Sequence, residues 1–446
     1  MPKTCILAID IGSSSVRAAV YDHDAKPLTG LHLKREWSFS TTGDGGSEMN
    51  ADAAFSAVCD VIDGVLSRAL RRKIQITHIA MCSFWHSLMG IDAAGQPMTP
   101  VLGWADTRSG KYSAELKRKF NESKLHDRTG AHFHSSFWPA KLVWLRKEQP
   151  QIVAETAKWI GFADYIAMRL TGVCSTSISM ASATGIFDQR KCAWDTELLR
   201  YLKIKVSQLP QIAPAGGSIP LTQNALKRWP QLKNTLLFPP IGDGAADHVG
   251  SCGIGKNKAS LMVGTSAAMR VAYRGYPPNE LPDGLWCYRI DDKRVIVGGA
   301  LSDGGNLFEW CKRNFNIPAN AEDEIRRRDP KRPLPTVLPF FQGERSTGYR
   351  EDARGGIIDL KASHDGVDIL HAAMLAVAQR LAEIYKRLRR VATIREIVAS
   401  GGALRESPLW REIISNALGR ELQMTNTDES ALRGAVLLTL EQIRSK

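Results

Sequence analysis

Two stretches in opposite halves of this chain are built to the same plan, and that repetition constrains the fold more than any other feature. The first is ILAIDIGSSSVRAAVY, residues 6 to 21, and the second is SLMVGTSAAMRVAY, residues 260 to 273. Each is an apolar run, a glycine with hydroxyl residues, and a second apolar run. From Gly12 to Tyr21 and from Gly264 to Tyr273 the separation is nine residues in both cases. Val, Ile and Ala dominate the first runs, so the pattern reads as strand, tight turn, strand. Its recurrence near the start of each half predicts a duplicated architecture, two related α/β domains facing a cleft. A chain of 446 residues is also too long for one ordinary core.

Helical spacing runs from about residue 51 to 72, from 140 to 148 and from 162 to 170, the last closed by Thr171-Gly172. A short strand is expected at 76 to 81. A Pro- and Gly-rich stretch at 211 to 220 and the pair Pro239-Pro240 mark the boundary, which divides the chain into domains 1–240 and 241–446.

The net charge of +13 raises nucleic acid, anionic lipid or a small anionic substrate as partners. The basic clusters Arg71-Arg72-Lys73, Arg326-Arg327-Arg328 and Lys386 to Arg390 are dispersed, as on solvated helix faces. Aromatic content is 7% and no RNA-binding signature or basic region occurs, so no nucleic-acid partner is expected. No apolar run approaches the roughly 18 residues that span a bilayer, and the first strand pattern starts too early for a signal peptide. No membrane partner and a cytoplasmic location are therefore the expectation. The eight cysteines are scattered without a Cys-x-x-Cys pair, which points away from zinc and disulfides toward small buried hydrophobes.

A tight turn of small residues exposes backbone N–H groups and short hydroxyls, which suits phosphate oxygens. Asp10, at the end of the first strand, would point to the same place, where it could hold magnesium through water while Arg17 offers charge to a transferring phosphoryl group. One such turn alone is most simply a polar hairpin; two, one per half, favour a nucleotide clamp. GSCGIGKN, residues 250 to 257, imitates a phosphate loop only as far as Lys256, because Asn257 replaces the Ser or Thr that would bind magnesium. In IGDGAADHVG, Asp243 is flanked by Gly242 and Gly244, which would let a ligand approach the backbone. Asp243 is either a helix N-cap or a general base that removes a proton from an attacking hydroxyl. His132 and His134 in AHFHSS read as packing or hydrogen-bonding residues rather than metal ligands.

The motifs occur in an order that resembles the FGGY family of carbohydrate kinases: DIGSSSVRAAV, KLVWLRKE (141–148), GDGAADH, VGTSAAMRV, GERSTGYREDARG (343–355) and ASGGALRESPLW (399–410). The resemblance covers essentially the whole chain. It implies an α/β, two-domain actin-like sugar-kinase (ribonuclease H-like) fold with an interdomain cleft, and ATP-dependent phosphorylation of a sugar or polyol with Mg2+. By position it implies Asp243 as catalytic base, Asp10 as metal-side carboxylate, and Ser13, Ser14 and Arg17 as phosphate cradle. Gly264 and Thr265 resemble the second phosphate loop, and Gly305, Gly402 and the segment to Glu406 resemble the adenosine pocket.

FWHSLMGID (84–92) and WADTRSG (104–110) stand where the family places substrate-contacting residues, and together with Gly-Thr-Ser-Ala-Ala and Arg270 they resemble the gluconokinase branch. The implied substrate is a sugar acid, with a neutral ketose or polyol such as xylulose as the alternative. His86 and Asp106 would bond hydroxyls, Trp104 would stack on the carbon chain, and Arg108 or Arg270 would pair with a carboxylate. The plainer reading makes Trp85 and Trp104 core residues and Arg108 the partner of Asp106. Two departures bear on the sugar: Trp138 stands where the family commonly has a small residue or proline, and Ala376 near its usual acidic position. A third alternative is a nucleotide-dependent binding protein of the actin fold without sugar chemistry. A homodimer is compatible with all of these readings.

Overall fold

The computed structural model describes residues 5–214, 216–425 and 427–445. Its first strand, Ile6–Ile11, is buried along its whole length, as a continuous apolar run covered on both faces must be. It forms an antiparallel hairpin with Ser15–Tyr21, which pairs in turn with Pro27–Glu36. On its other side it runs parallel to His78–Ser83, which is parallel to Leu236–Leu237. The second half repeats this order. Lys258–Val263 forms a hairpin with Ala267–Arg274, the latter pairs with Arg294–Leu301, and Glu396–Ser400 and Leu422–Met424 join in parallel on the far side.

The two sheets thus share a core of three antiparallel strands followed by two parallel ones, with a long helix crossing between the third and fourth of these; Ile219–Pro220 and Ile241–Gly242 extend the first sheet to seven strands and Trp286–Arg289 the second to six. In the first half this helix is Ala51–Arg71, started by Asn50, whose side chain accepts from Ala53 N. In the second it is Gly366–Leu388, started by an Asp365–Asp368 capping box. The duplication expected from the two hairpins is therefore present in the topology. The strand expected at 76 to 81 lies two residues later, at His78–Ser83, because the pairing register sets Ile6 against His78.

Two helices, Asp243–Ser251 and Ser430–Arg444, cross between the sheets. Ala246, Leu432, Ala435 and Val436 pack with Ile6, Ala8, Ala19 and Ala80 of the first sheet. Ala245, Val249 and Leu438 pack with Ala272, Tyr288 and Ile296 of the second. The crossing is close: a Cβ on Gly434 would lie 1.8 Å from the Ala246 carbonyl oxygen, and one on Gly250 1.9 Å from that of Ser430. The strand Ile241–Gly242 runs alongside Cys82 and Ser83, so the first sheet extends two residues beyond position 240 before the helix begins at Asp243.

Basic residues occupy the last turns of the helices Ala51–Arg71, Ala321–Arg327 and Gly366–Leu388, where they complement the negative end of the helix dipole. Cys59, Cys82, Cys174, Cys192, Cys252, Cys287 and Cys311 form no disulfide. Among the described residues no helix is long and apolar enough to cross a membrane.

Candidate active site

Both hairpin turns face the cleft. In the first, Gly12 N donates to Ser15 O at 2.9 Å, leaving Ser13 and Ser14 exposed at the tip. Asp10 ends the strand in a buried position, directly across the hairpin from Arg17. Arg17 Nη1 lies 3.4 Å from Asp10 Oδ2 and 3.0 Å from Glu429 Oε2. Burial raises the Asp10 carboxyl to about 7 against the pull of Arg17, with the nearby Asp243 adding to the rise.

The second turn is fastened to the helix Gly305–Asn314. Gly305 N donates to Gly264 O at 2.7 Å and Asn306 N to Thr265 O at 3.1 Å. A Cβ on Gly305 would come within 2.6 Å of Gly264 O, so glycine is required for this approach. Gly264, Thr265, Gly305, Gly402 and Glu406 all line one cleft of about 1090 Å³, whose walls include Phe308, Trp310, Phe341 and Trp410.

A smaller cavity, about 180 Å³, connects residues of both halves. Ser13, Trp85, His86, Trp104 and Asp243 line it together with Arg270, Trp286, Tyr288, Arg345 and Tyr349. Asp243 is the first residue of its helix, and Gly242 holds the N-cap position, so the N-cap alternative does not apply. Its Oδ1 accepts from Gly244 N at 2.7 Å. Burial raises this carboxyl to about 6, opposed by Arg270 and Arg345 and aided by Asp247. The flanking glycines make room for a side chain rather than a ligand: a Cβ on Gly242 would lie 1.8 Å from the Trp85 indole, and one on Gly244 2.6 Å.

Several polar groups of this cavity have no protein partner. Arg270 donates from Nη1 to Asp247 Oδ2 at 3.1 Å, and Arg345 from Nη2 to Leu301 O at 2.8 Å, its guanidinium 4.3 Å from the Trp104 ring centre. The Nε of each arginine and the hydroxyl of Tyr288 are buried without a hydrogen bond. Such groups are costly unless a ligand or water satisfies them. His86 Nδ1 bonds to Ala183 O at 2.7 Å, and burial pushes the ring down to about 3, so it is neutral and its Nε2 is left as an acceptor.

Asp106 and Arg108 do not line this cavity. Asp106 accepts from Ser47 N and from Arg108, while Arg108 also donates to Glu48 and lies over the Trp144 ring. Their charges are satisfied by each other and by the fold, so neither is brought to this cavity. His134 bonds Ser136 Oγ at 3.1 Å, and His132 stacks on His126. Sequence reasoning missed Arg345, Tyr288 and Tyr349. The first and last lie within the quoted GERSTGYREDARG motif and were there to be found; Tyr288, on an ordinary alternating strand, carries no local signal.

Two similar α/β units closed over a cleft, with a hydroxyl hairpin from each aimed inward, define a two-domain kinase of the actin and sugar-kinase type. The model of the FGGY carbohydrate-kinase N-terminal domain matches residues 5–250 and that of the C-terminal domain residues 259–441, and the chain belongs to this family. It is 26% identical to a gluconokinase of Bacillus subtilis (strain 168) over 98% of this chain and 87% of that one. Among solved structures it is similar to a ligand-bound xylulose kinase from Lactobacillus acidophilus (TM-score 0.86, 25% identity, 99% and 90% of the two chains). It is equally similar to a gluconate kinase from the same organism (TM-score 0.85, 25% identity, 100% and 90%). The chain is thus a carbohydrate kinase acting on a small sugar, and ATP is the phosphate donor of its family.

Proposed function

We propose that this kinase phosphorylates a sugar acid, gluconate first among them, in the cavity that Asp243 shares with Arg270 and Arg345. The observation that carries this reading is the pair of buried guanidinium Nε–H groups without protein partners on the wall of a cavity that also holds the proposed base. A carboxylate would satisfy both and be bound by charge-assisted hydrogen bonds. The hydroxyls of the sugar would meet Tyr288, the Nε2 of His86 and the face of Trp104. Arg108 has no part in this site.

The chemistry follows from the residues around the cavity. Asp243, ionised above about pH 6, takes the proton of the attacking hydroxyl as its oxygen bonds to the γ-phosphorus; the bond to the bridging oxygen breaks and ADP leaves. Arg17 neutralises charge on the transferred group, and Ser13, Ser14, Gly264 and Thr265 orient the phosphates. Gly305, Gly402 and Glu406 border the space for adenosine. Among the described residues no cluster of three or more His, Cys, Asp or Glu side chains could hold a metal. Asp10 fits magnesium in the way a single carboxylate does, with water and substrate phosphates supplying the other ligands. Magnesium, when bound, neutralises developing phosphate charge.

The alternative is a neutral ketose such as xylulose, favoured by the equal likeness to a xylulose kinase. ADP release by the purified protein with ATP and magnesium, measured against sugar acids, ketoses and polyols, tests the reading. Selective turnover of gluconate is expected. Selective turnover of xylulose would discard the carboxylate assignment while keeping the kinase, and ATP consumption independent of any sugar would discard both.

A further inference from the structure

Residues 343–355 form a strap that leaves the second domain, crosses the mouth of the sugar cavity and touches the first half of the chain. Its two glutamates face opposite ways. Glu344 is buried and tied to its own domain, pairing with Arg350 and with Arg380 of the long helix Gly366–Leu388. Ser346 N bonds to Ala300 O at 3.0 Å and its hydroxyl to Ala300 N at 3.1 Å, which pins the same end to the strand Arg294–Leu301.

Glu351 reaches across. Its Oε1 accepts from Ser135 N at 2.5 Å and from Ser113 Oγ at 2.7 Å, and its Oε2 accepts from Ser135 Oγ at 2.8 Å. His134 Nε2 stands 3.6 Å from Oε2. Lys117 Nζ reaches the Tyr349 carbonyl at 3.4 Å, a second cross-link of the same strap. Gly110 admits the carboxylate closely, since a Cβ there would lie 3.0 Å from Oε2. Glu351 does not line the sugar cavity; Arg345, inside the first anchor, and Tyr349, between the two, do.

We infer that Glu351 is a positioning residue: it fixes the free end of the strap on Ser113 and Ser135, and thereby sets Tyr349 over the sugar. A carboxylate that accepts three hydrogen bonds from serines is a well-determined anchor. Without it, Arg345 stays held between the pinned Glu344 and Ser346 and by its bond to Leu301 O, whereas Tyr349, two residues from Glu351, loses the constraint that places it against a ligand. The inference concerns how the sugar is held and does not depend on that sugar being an acid.

The test is a double-mutant cycle in the full chain, with gluconate as probe and xylulose in its place should gluconate be inert. Glu351→Ala is expected to raise the sugar KM about 10-fold, the cost of one misplaced hydrogen bond, with the ATP KM and kcat little changed. In a Tyr349→Ala background the same substitution should add nothing, because the group it positions is gone. Glu351→Gln, which keeps an acceptor oxygen, should fall between. Parallel rises in both KM values, or effects that multiply with Tyr349→Ala, would overturn the inference, since either means that Glu351 supports the fold generally. Should Glu351→Ala fail to fold, Ser113→Ala, which removes one donor from outside the cavity, is measured in the same cycle with the same two outcomes.

Discussion

At the scale of single residues, the site sets two carboxylates against burial. Asp243, the proposed base, is raised from 3.8 to about 6, the direction that makes a weakly basic carboxylate a better proton acceptor near neutral pH. Asp243→Asn should therefore lower kcat by about 10²- to 10⁴-fold with little change in ATP affinity, measured by steady-state kinetics and nucleotide titration; near-normal turnover would refute its role. Because the ionised form is the active one, kcat/KM should fall below about pH 6 with the slope of one proton, and a limb near 4 would mean that the carboxyl is not desolvated. Asp10 has a different consequence. Its folded-state value of about 7 exceeds the ordinary 3.8, so the folded form binds the proton more tightly, and stability is lost as pH rises from 4 through 7. In metal-free protein at pH 8, Asp10→Asn should raise the melting temperature, with a gain on the order of a few kcal/mol at most, while abolishing turnover. An unchanged or lower melting temperature would contradict this.

At the scale of elements, the fold turns on the crossing of Asp243–Ser251 and Ser430–Arg444. The helix that carries the proposed base is held by backbone contact at Gly250 and Gly434 rather than by large side chains. Gly434→Ala would set a Cβ 1.8 Å from Ala246 O, and because backbone cannot yield, it should cost at least about 1–3 kcal/mol, read as a lower urea midpoint. Wild-type stability would show that the helices separate freely. This crossing was not legible in the sequence: Gly250 belonged to a stretch notable only for imitating a phosphate loop, and Gly434 sits unmarked in a helix. The hairpins were legible because apolar runs and hydroxyl turns are local features, and the cap Gly172 and the helices near it were legible for the same reason. Arg108 was misplaced because sequence gives residue type without direction; its partners Glu48 and Trp144 are distant in the chain. Gly242 and Gly244 drew notice as ligand-approach glycines, but the group they admit, Trp85, becomes their neighbour only on folding.

At the scale of the whole molecule, duplication gives each half a sheet of the same order and leaves the chemistry to the seam between them. In the proposed mechanism phosphate contacts come from one hairpin of each half, the base from a helix that crosses between the sheets, and the cationic wall from Arg270 and Arg345 of the second half. The net charge of +13 has an ordinary origin in part, since basic clusters end helices whose dipoles favour them. The significant positive charge is that of Arg270 and Arg345, whose buried Nε–H groups have no protein partner although Arg270 is also paired with Asp247. The most direct measurement of its purpose is the ratio of kcat/KM for gluconate to that for its uncharged analogue sorbitol, in the wild-type protein and in Arg270→Leu. Wild type should prefer gluconate by about 100-fold or more, and Arg270→Leu should lose most of that preference through gluconate alone. A ratio near one in the wild type, or one untouched by the substitution, would contradict the assignment of this cavity to a sugar acid.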